Sequence, residues 1–557
     1  MKCRISLLVL LFLLLFSIDS TSQTNESPPS PTDSTSRSIK YFQLSGEAGL
    51  SGELYSISGR ERRRPASSGM IFFRPTLTLF ENFDISFDIL LSTEGSSSRQ
   101  SINQIAVHPE WSWGKAHIGD FAHEFSPLTL SGINIRGAGI EMYPGNFRLQ
   151  IVGGQTQSAI NDGPYNSVFS RYLTGFKIGY GNTESSLFDL NIIRVRDNVA
   201  SLPRELLNDS TVFAQLITPQ ENLVVGFNTE IKLFDNMLKF TGEAAGDIYT
   251  RDMFSRNLDA DDIPSIVKSI YKANISTSLD YAYSTELDFN YDIVNAKAGY
   301  SIINPGYTSL GLSSFINDRK TITLGGGVRL LENKLTLQGS FQSQSDNLLS
   351  QKLYTTSRTN INLTATVRPI NELNLTFGTM VNSMENDATS DTFKIDNVNS
   401  TYMFNSTAQF QLFKLNQVIV LSFTTQNAED NNIFRKSYSI NVKNILFSIT
   451  SYLNPQWSLS PSLMFNILDM ENFGKSTTSN YNLRVNNRIL NNRLSNSVSF
   501  GYTTSDNIKS TILGITSAFS ITPADAVSFN LRSSFNKLKS SSEFNEHKAN
   551  FSFTHRF

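Results

Sequence analysis

Along most of the chain, apolar and polar residues alternate with a period of two. Over residues 334–341, Leu335, Leu337, Gly339 and Phe341 fall on one side, and Lys334, Thr336, Gln338 and Ser340 on the other. Ile361, Leu363, Ala365 and Val367 alternate with Asn362, Thr364, Thr366 and Arg368. Val527, Phe529, Leu531 and Phe535 alternate with Ser528, Asn530, Arg532 and Asn536. This period puts each set on one face of a β-strand. Short turn sequences join the strands in pairs: Phe80-Glu-Asn-Phe83, Tyr143-Pro-Gly-Asn-Phe147, Phe234-Asp-Asn-Met237, Leu331-Glu-Asn-Lys334, Pro369-Ile-Asn-Glu372, Asn454-Pro-Gln-Trp457 and Asn491-Asn-Arg-Leu494. Asn, Gly and Pro suit tight-turn dihedrals. Between the pairs lie longer polar stretches, at 59–68, 155–170, 197–220, 251–274, 304–319, 382–397 and 427–436.

Short turns alternating with long loops are the asymmetry of a transmembrane antiparallel up-and-down β-barrel, with turns on the periplasmic side and loops outside. The pattern predicts such an all-β barrel over residues 40–557. It has about 24–26 strands, the even number of a single-chain barrel. A soluble sandwich gives the same alternation, but it explains neither the turn asymmetry nor the ends of the chain. Composition agrees with the barrel. Only 39% of residues are hydrophobic and 17% charged, yet there are 40 Phe and 19 Tyr. That is too few apolar residues for a soluble core and too many aromatics for a disordered chain. After the N-terminal region, no window approaches the roughly 18 apolar residues of a spanning helix. Trp111, Trp113 and Trp457 all fall beside short turns, where an amphipathic ring suits the headgroup layer.

The ends set the compartment. Residues 1–22 read as a secretory signal peptide, with Lys2 and Arg4 before an apolar run and Ser20-Thr21-Ser22 after it. Residues 23–39 are rich in Pro, Ser and Thr and read as a flexible linker. Cys3 is the only cysteine. Removal of the leader therefore leaves no disulfide, thiolate or Cys-metal chemistry. A formal net charge of −2 gives a nucleic-acid partner no support.

In the last segment, Phe551, Phe553, His555 and Phe557 share one strand face, and Asn550, Ser552, Thr554 and Arg556 the other. This resembles the C-terminal strand of Gram-negative outer-membrane β-barrel proteins. The resemblance implies an outer-membrane location, contact with membrane lipids and lipopolysaccharide, and recognition of Phe551, Phe553 and Phe557 by the barrel-assembly machinery as an assembly signal. The Asn- and Ser-rich barrel resembles proteins of the Bacteroidetes. The run Gly119-Asp-Phe, Leu128-Thr-Leu-Ser-Gly, Arg136-Gly is similar to segments of giant secretion translocons of that group, which implies secretion-system proteins as partners.

Candidate chemistry is sparse. The segment 115–125 holds His117, Asp120, His123 and Glu124. Imidazole and carboxylate can ligate divalent metals, but the spacing matches no metal motif. It reads as a polar loop, with Asp120, His123 and Glu124 at a constriction folded into the pore, and no metal or cofactor is expected. Arg136, Arg148, Lys177 and Arg194 neighbour Ile135, Leu149, Ile178 and Ile193. With those four facing lipid, the cations face the lumen and bias a pore toward anions; the other reading pairs them with Asp120, Glu141 or Asp189 in the wall. Residues 261–272 have helical spacing of Ile263, Ile266, Val267 and Ile270. Arg60 to Arg64 forms a basic loop tip. No catalytic constellation stands out, so the reading is a non-enzymatic channel or transporter for an unidentified solute, the alternative being a component of a secretion or assembly machine.

Overall fold

The computed structural model describes residues 41–557, except 94–102, 163–165, 183, 203–216, 259–270, 436–438 and 540–542. The expected leader and linker lie outside the described residues, as does the expected helix over 261–272 but for its last two positions.

The first nine strands are β1 (Phe42–Ser58), β2 (Ser67–Leu79), β3 (Phe83–Ser92), β4 (Gln104–Trp111), β5 (Gly114–Ala122), β6 (Asn134–Met142), β7 (Phe147–Gln157), β8 (Arg171–Gly181) and β9 (Leu187–Asp197). Next come β10 (Glu221–Leu233), β11 (Leu238–Thr250), β12 (Thr277–Tyr291), β13 (Val294–Ile303), β14 (Arg319–Leu330), β15 (Leu335–Ser345), β16 (Thr356–Ile370), β17 (Leu373–Asn386) and β18 (Asp396–Leu412). The last are β19 (Leu415–Asp430), β20 (Ile440–Asn454), β21 (Trp457–Met470), β22 (Gly474–Ile489), β23 (Leu494–Thr504), β24 (Ile508–Ser520), β25 (Asp525–Leu538) and β26 (Phe544–Arg556). Each strand pairs antiparallel with the next, and β1 pairs with β26 from Glu47↔Arg556 to Ser58↔Asn545. The 26-stranded sheet is closed, so it has no edge. Closure gives every strand a neighbour on both sides, as a sheet spanning a bilayer requires.

The short-turn end shows why those sequences were legible. Three turns repeat one geometry, with left-handed dihedrals at Phe234-Asp-Asn236, Leu331-Glu-Asn333 and Leu490-Asn-Asn492. The third sits one residue earlier than the sequence pattern placed it. Each turn is closed by a backbone bond across it, such as Met237 N to Phe234 O at 3.0 Å. Asn tolerates this region better than other side chains because its short amide bonds locally.

The two faces of the sheet separate by chemistry. The outward face is apolar: Phe377, Phe447, Leu463, Val498, Phe500 and Phe529 are all about two-fifths to one-half exposed. The inward face of β14–β26 is polar and cross-linked by amides and hydroxyls. Asn360 donates to Gln342 (3.2 Å), Ser422 to Asn405 (2.6 Å) and Thr503 to Asn480 (2.6 Å).

The inward face of β5–β13 is different. There Phe121, Ile135, Val152, Leu173, Ile193 and Val224 form a buried apolar cluster. Two loops turn into the barrel and cover it: residues 123–133, between β5 and β6, and residues 304–318, between β13 and β14. Phe125, Leu128, Leu130 and Tyr307 belong to the same cluster. The loops pair with each other, Ser131 N donating to Gly311 O (3.0 Å) and Ser313 N to Ser131 O (3.2 Å).

Candidate functional site

The in-folded loops bring their backbone polar groups inside the barrel, and the wall supplies partners for them. Leu128 N donates to Glu243 (2.8 Å), Thr308 N to Asp247 (3.2 Å), Leu310 N to Asn222 (3.0 Å) and Gly306 N to Asp280 (2.8 Å). Lys177 Nζ donates to Phe125 O (2.9 Å), and the Tyr307 hydroxyl to Leu128 O (2.7 Å). Burial pushes the Tyr307 phenol well above its ordinary range, so it stays a donor. The wall is also shaped to receive the loop. A Cβ on Gly226 would lie 2.6 Å from Thr129 Cγ2, and one on Gly175 2.8 Å from the Phe125 ring. These positions need glycine because another chain segment approaches closely.

The four cations divide between the faces. Arg148 and Lys177 point inward and converge on Asp189, at 3.0 and 3.1 Å. Asp189 is 1% exposed and Lys177 5%, so this is a buried triad under the loop. Arg136 and Arg194, expected on the lumen side, lie on the outward face. Arg136 pairs with Asp120 at 2.7 Å, and Arg194 with Glu221 at 2.5 Å. The reason is the in-folded cluster. It makes the inward face apolar locally, so Ile135 and Ile193 turn inward to it and their neighbours turn out. Both pairs sit close to the long-loop ends of their strands, away from the middle of the span, where an outward charge is most costly.

Asp120 likewise lies in β5 on the outward face, not in a constriction. Glu124 is exposed, and His123 is buried at 8% exposure. His117, on the inward face of β5, is equally buried. Its Nε2 lies 2.6 Å from Glu141 Oε1, and His123 Nδ1 lies 3.6 Å from the same oxygen. The ligand-type atoms of His117, His123 and Glu141 all fall within 4.8 Å of one another. Glu141 entered the sequence reading only as a partner for a cation. Its convergence with the two histidines depends on the return of the chain after Ala122, for which the sequence carries no spacing signal.

The sequence reading also missed the other wall. Arg484, Ser499, Gly514 and Arg532 are successive cross-strand partners along β22, β23, β24 and β25. They form a row on the polar inward face, with two small residues between two arginines. The arginine side chains are exposed, and among the described residues neither has an acidic partner within 4.0 Å. Arg488 lies four residues further along β22, on the same face. Alternation on β25 gave the parity of Arg532, but not its alignment with Arg484 or that the residues between them are small.

The basic tip is tethered: Arg64 meets Glu53 at 3.4 Å, and Arg60 lies over the Phe544 ring at 4.1 Å. Trp111 and Trp113 contact each other edge-on at 5.4 Å beside the short turn they flank. Phe551 and Phe553 lie on the outward parity of β26, where Phe553 is opposite Leu50 and Val527, and Phe557 follows directly after the strand.

No protein-family model and no curated protein matches the chain. Solved structures share barrel architecture only. The P pilus usher PapC translocation pore is 9% identical, with a TM-score of 0.37, over 92% of this chain and 99% of that one. BauA, the ferric preacinetobactin receptor from Acinetobacter baumannii, is 8% identical, with a TM-score of 0.39, over 92% and 80%. Pseudomonas aeruginosa OccK5 is 9% identical, with a TM-score of 0.31, over 61% and 93%. No site residue or solute is carried over from them.

Proposed function

We propose that this chain is an outer-membrane channel for small polar, preferentially anionic solutes, with the conducting path along the polar wall formed by β14–β26. At a strand spacing of ~4.8 Å and a tilt of ~40°, a 26-stranded barrel has a circumference of roughly 160 Å, or about 50 Å in diameter were it round. The in-folded loops occupy the β5–β13 side. The observation that carries the reading is the opposite side, which is lined by hydroxyls and amides and bears the unpaired Arg484 and Arg532. Exposed cations on a lumenal wall raise the local anion concentration.

Selectivity is tested in planar bilayers under a salt gradient. Arg484→Gln with Arg532→Gln should move the reversal potential toward cations, lowering the anion preference about twofold. The effect is modest because salt screens charges beyond ~8–10 Å. Arg136→Gln with Arg194→Gln should leave the reversal potential unchanged. Equal shifts from both pairs would sink the assignment of the path, and a silent, folded barrel would sink the channel reading in favour of an assembly or secretion component.

We also propose that Phe557 serves barrel assembly through the closing seam. Gly46 N donates to Phe557 O (2.9 Å), Phe557 N donates to Gly46 O (3.1 Å), and the Phe557 ring lies 6.2 Å from Phe73. Its partners in biogenesis are the barrel-assembly machinery, and in the mature state membrane lipids and lipopolysaccharide. Phe557→Ala should cut the yield of heat-modifiable barrel severalfold; wild-type yield would refute the role.

A further inference from the structure

The cluster around His117 is organised beyond what a polar wall needs. Its three central groups come from three places: His117 from β5, Glu141 from β6, and His123 from the start of the in-folded loop. In each, the outer atom is already held by a further group. His117 Nδ1 lies 2.9 Å from His108 Nδ1, and His123 Nε2 lies 3.2 Å from Gln150 Oε1. Glu141 Oε2 accepts from the Tyr143 hydroxyl, which in turn accepts from Gln150 Nε2 at 2.6 Å. The hydrogen-bond directions form one consistent set. With His117 protonated on Nδ1, that N–H donates to His108. With His123 protonated on Nε2, that N–H donates to Gln150. Each imidazole then presents a bare lone pair, His117 through Nε2 and His123 through Nδ1, toward Glu141 Oε1. Two neutral imidazoles and a carboxylate, each oriented by an outer hydrogen bond, make the donor set of a zinc-type ion.

Distances fit as well. Metal–ligand bonds of ~2.0–2.2 Å at tetrahedral angles separate ligand atoms by about 3.3 Å. The two observed separations from Glu141 Oε1, 2.6 and 3.6 Å, bracket that value, so small side-chain rotations suffice. The rings are confined by stacking: His117 lies 4.9 Å from Phe121, and His123 5.2 Å edge-on to Phe125.

We infer that His117, His123 and Glu141 bind one divalent transition-metal ion of the zinc class, which fastens the in-folded loop 123–133 to the barrel wall. The site is independent of the channel reading. It has two structural consequences: the ion ties β5, β6 and the loop together, and it leaves a fourth coordination position for water.

The test is metal binding by the purified, refolded barrel in detergent. After chelator treatment and dialysis against zinc, elemental analysis should find one equivalent per chain. Cobalt in its place should give the visible absorption of a tetrahedral site. His123→Gln and Glu141→Gln should each weaken zinc binding at least tenfold, and Gln150→Leu about tenfold through the outer hydrogen bond. Heat-modifiable migration shows which variants are folded, and Gln150→Leu, which leaves all three ligands in place, keeps the test valid if a ligand variant fails to fold. Chelation should also raise hydrogen exchange over 124–131, and zinc should reverse it. A folded wild-type barrel that takes up no more zinc than the His117→Gln/His123→Gln variant would overturn the site, leaving a proton-bridged network. Stoichiometric zinc without any change in exchange would overturn the fastening role.

Discussion

Replacing residues 124–132 with a short Gly-Ser turn should raise single-channel conductance by about 1.5- to 2-fold. The loop and its partner at 304–318 cover the inward face of β5–β13, nine of the 26 strands, so removing one of them frees part of about a third of the wall. The edit is geometrically simple because Ala122 and Asn134 are cross-strand partners, and a hairpin of two to five residues joins such positions. Stability should fall at the same time. Phe125, Leu128 and Leu130 are all less than 7% exposed, and each buried side chain of this size is worth ~1.5–3 kcal/mol. Glu243 also loses the backbone donor at Leu128. Planar-bilayer recordings and thermal unfolding in detergent read the two effects separately. Unchanged conductance with lowered stability would make the loop a structural filling that does not border the ion path.

Asp189→Ala should destabilise the barrel by about 3–5 kcal/mol, the loss expected when one member of a buried ion pair is removed. Asp189 faces Arg148 and Lys177 together, and Asn228 Nδ2 donates to it at 3.2 Å. Without the carboxylate, two cations oppose each other in a buried space under the Phe125 carbonyl. Adding Lys177→Met should recover part of the loss, because it removes one of the stranded charges and Met nearly fills its volume. Urea or heat denaturation followed by the shift in gel migration measures both. A loss below about 1 kcal/mol, the range of exposed pairs, would mean that water reaches the triad.

Most of the barrel was legible because its rules are local. Each strand announces itself by alternation, since lipid on one face and water on the other demand opposite side chains at successive positions. Most short turns announce themselves by Asn, Asp or Gly at or beside the left-handed positions, although Phe413-Lys414 turns without any of them. Counting these elements gives 24–26, a range that contains the observed 26, and their antiparallel order, since each strand pairs with its sequence neighbour. The displaced turn at Leu490-Asn-Asn-Arg493 marks the limit of that reading: with Asn at two adjacent positions, sequence cannot choose the register.

The parity of Ile135 and Ile193 shows where local rules fail. An isoleucine on a barrel strand reads as lipid-facing, and its charged neighbour as lumenal. Here the lumen holds an apolar surface of its own, supplied by Phe125, Leu128, Leu130 and Tyr307 from two loops about 180 residues apart. The inward isoleucines meet that surface, and Arg136 and Arg194 turn outward to acidic partners. The meeting of His117, His123 and Glu141, and of Arg484 with Arg532 across Ser499 and Gly514, has the same character. Sequence by itself determined the compositional class, the strand pattern, the turn chemistry and the up-and-down order, because each depends on residues close together in the chain. Tertiary structure alone decided which loops fold inward, which charges are neutralised and which side chains converge, because those depend on contacts between strands and loops that the chain brings together only when the barrel closes.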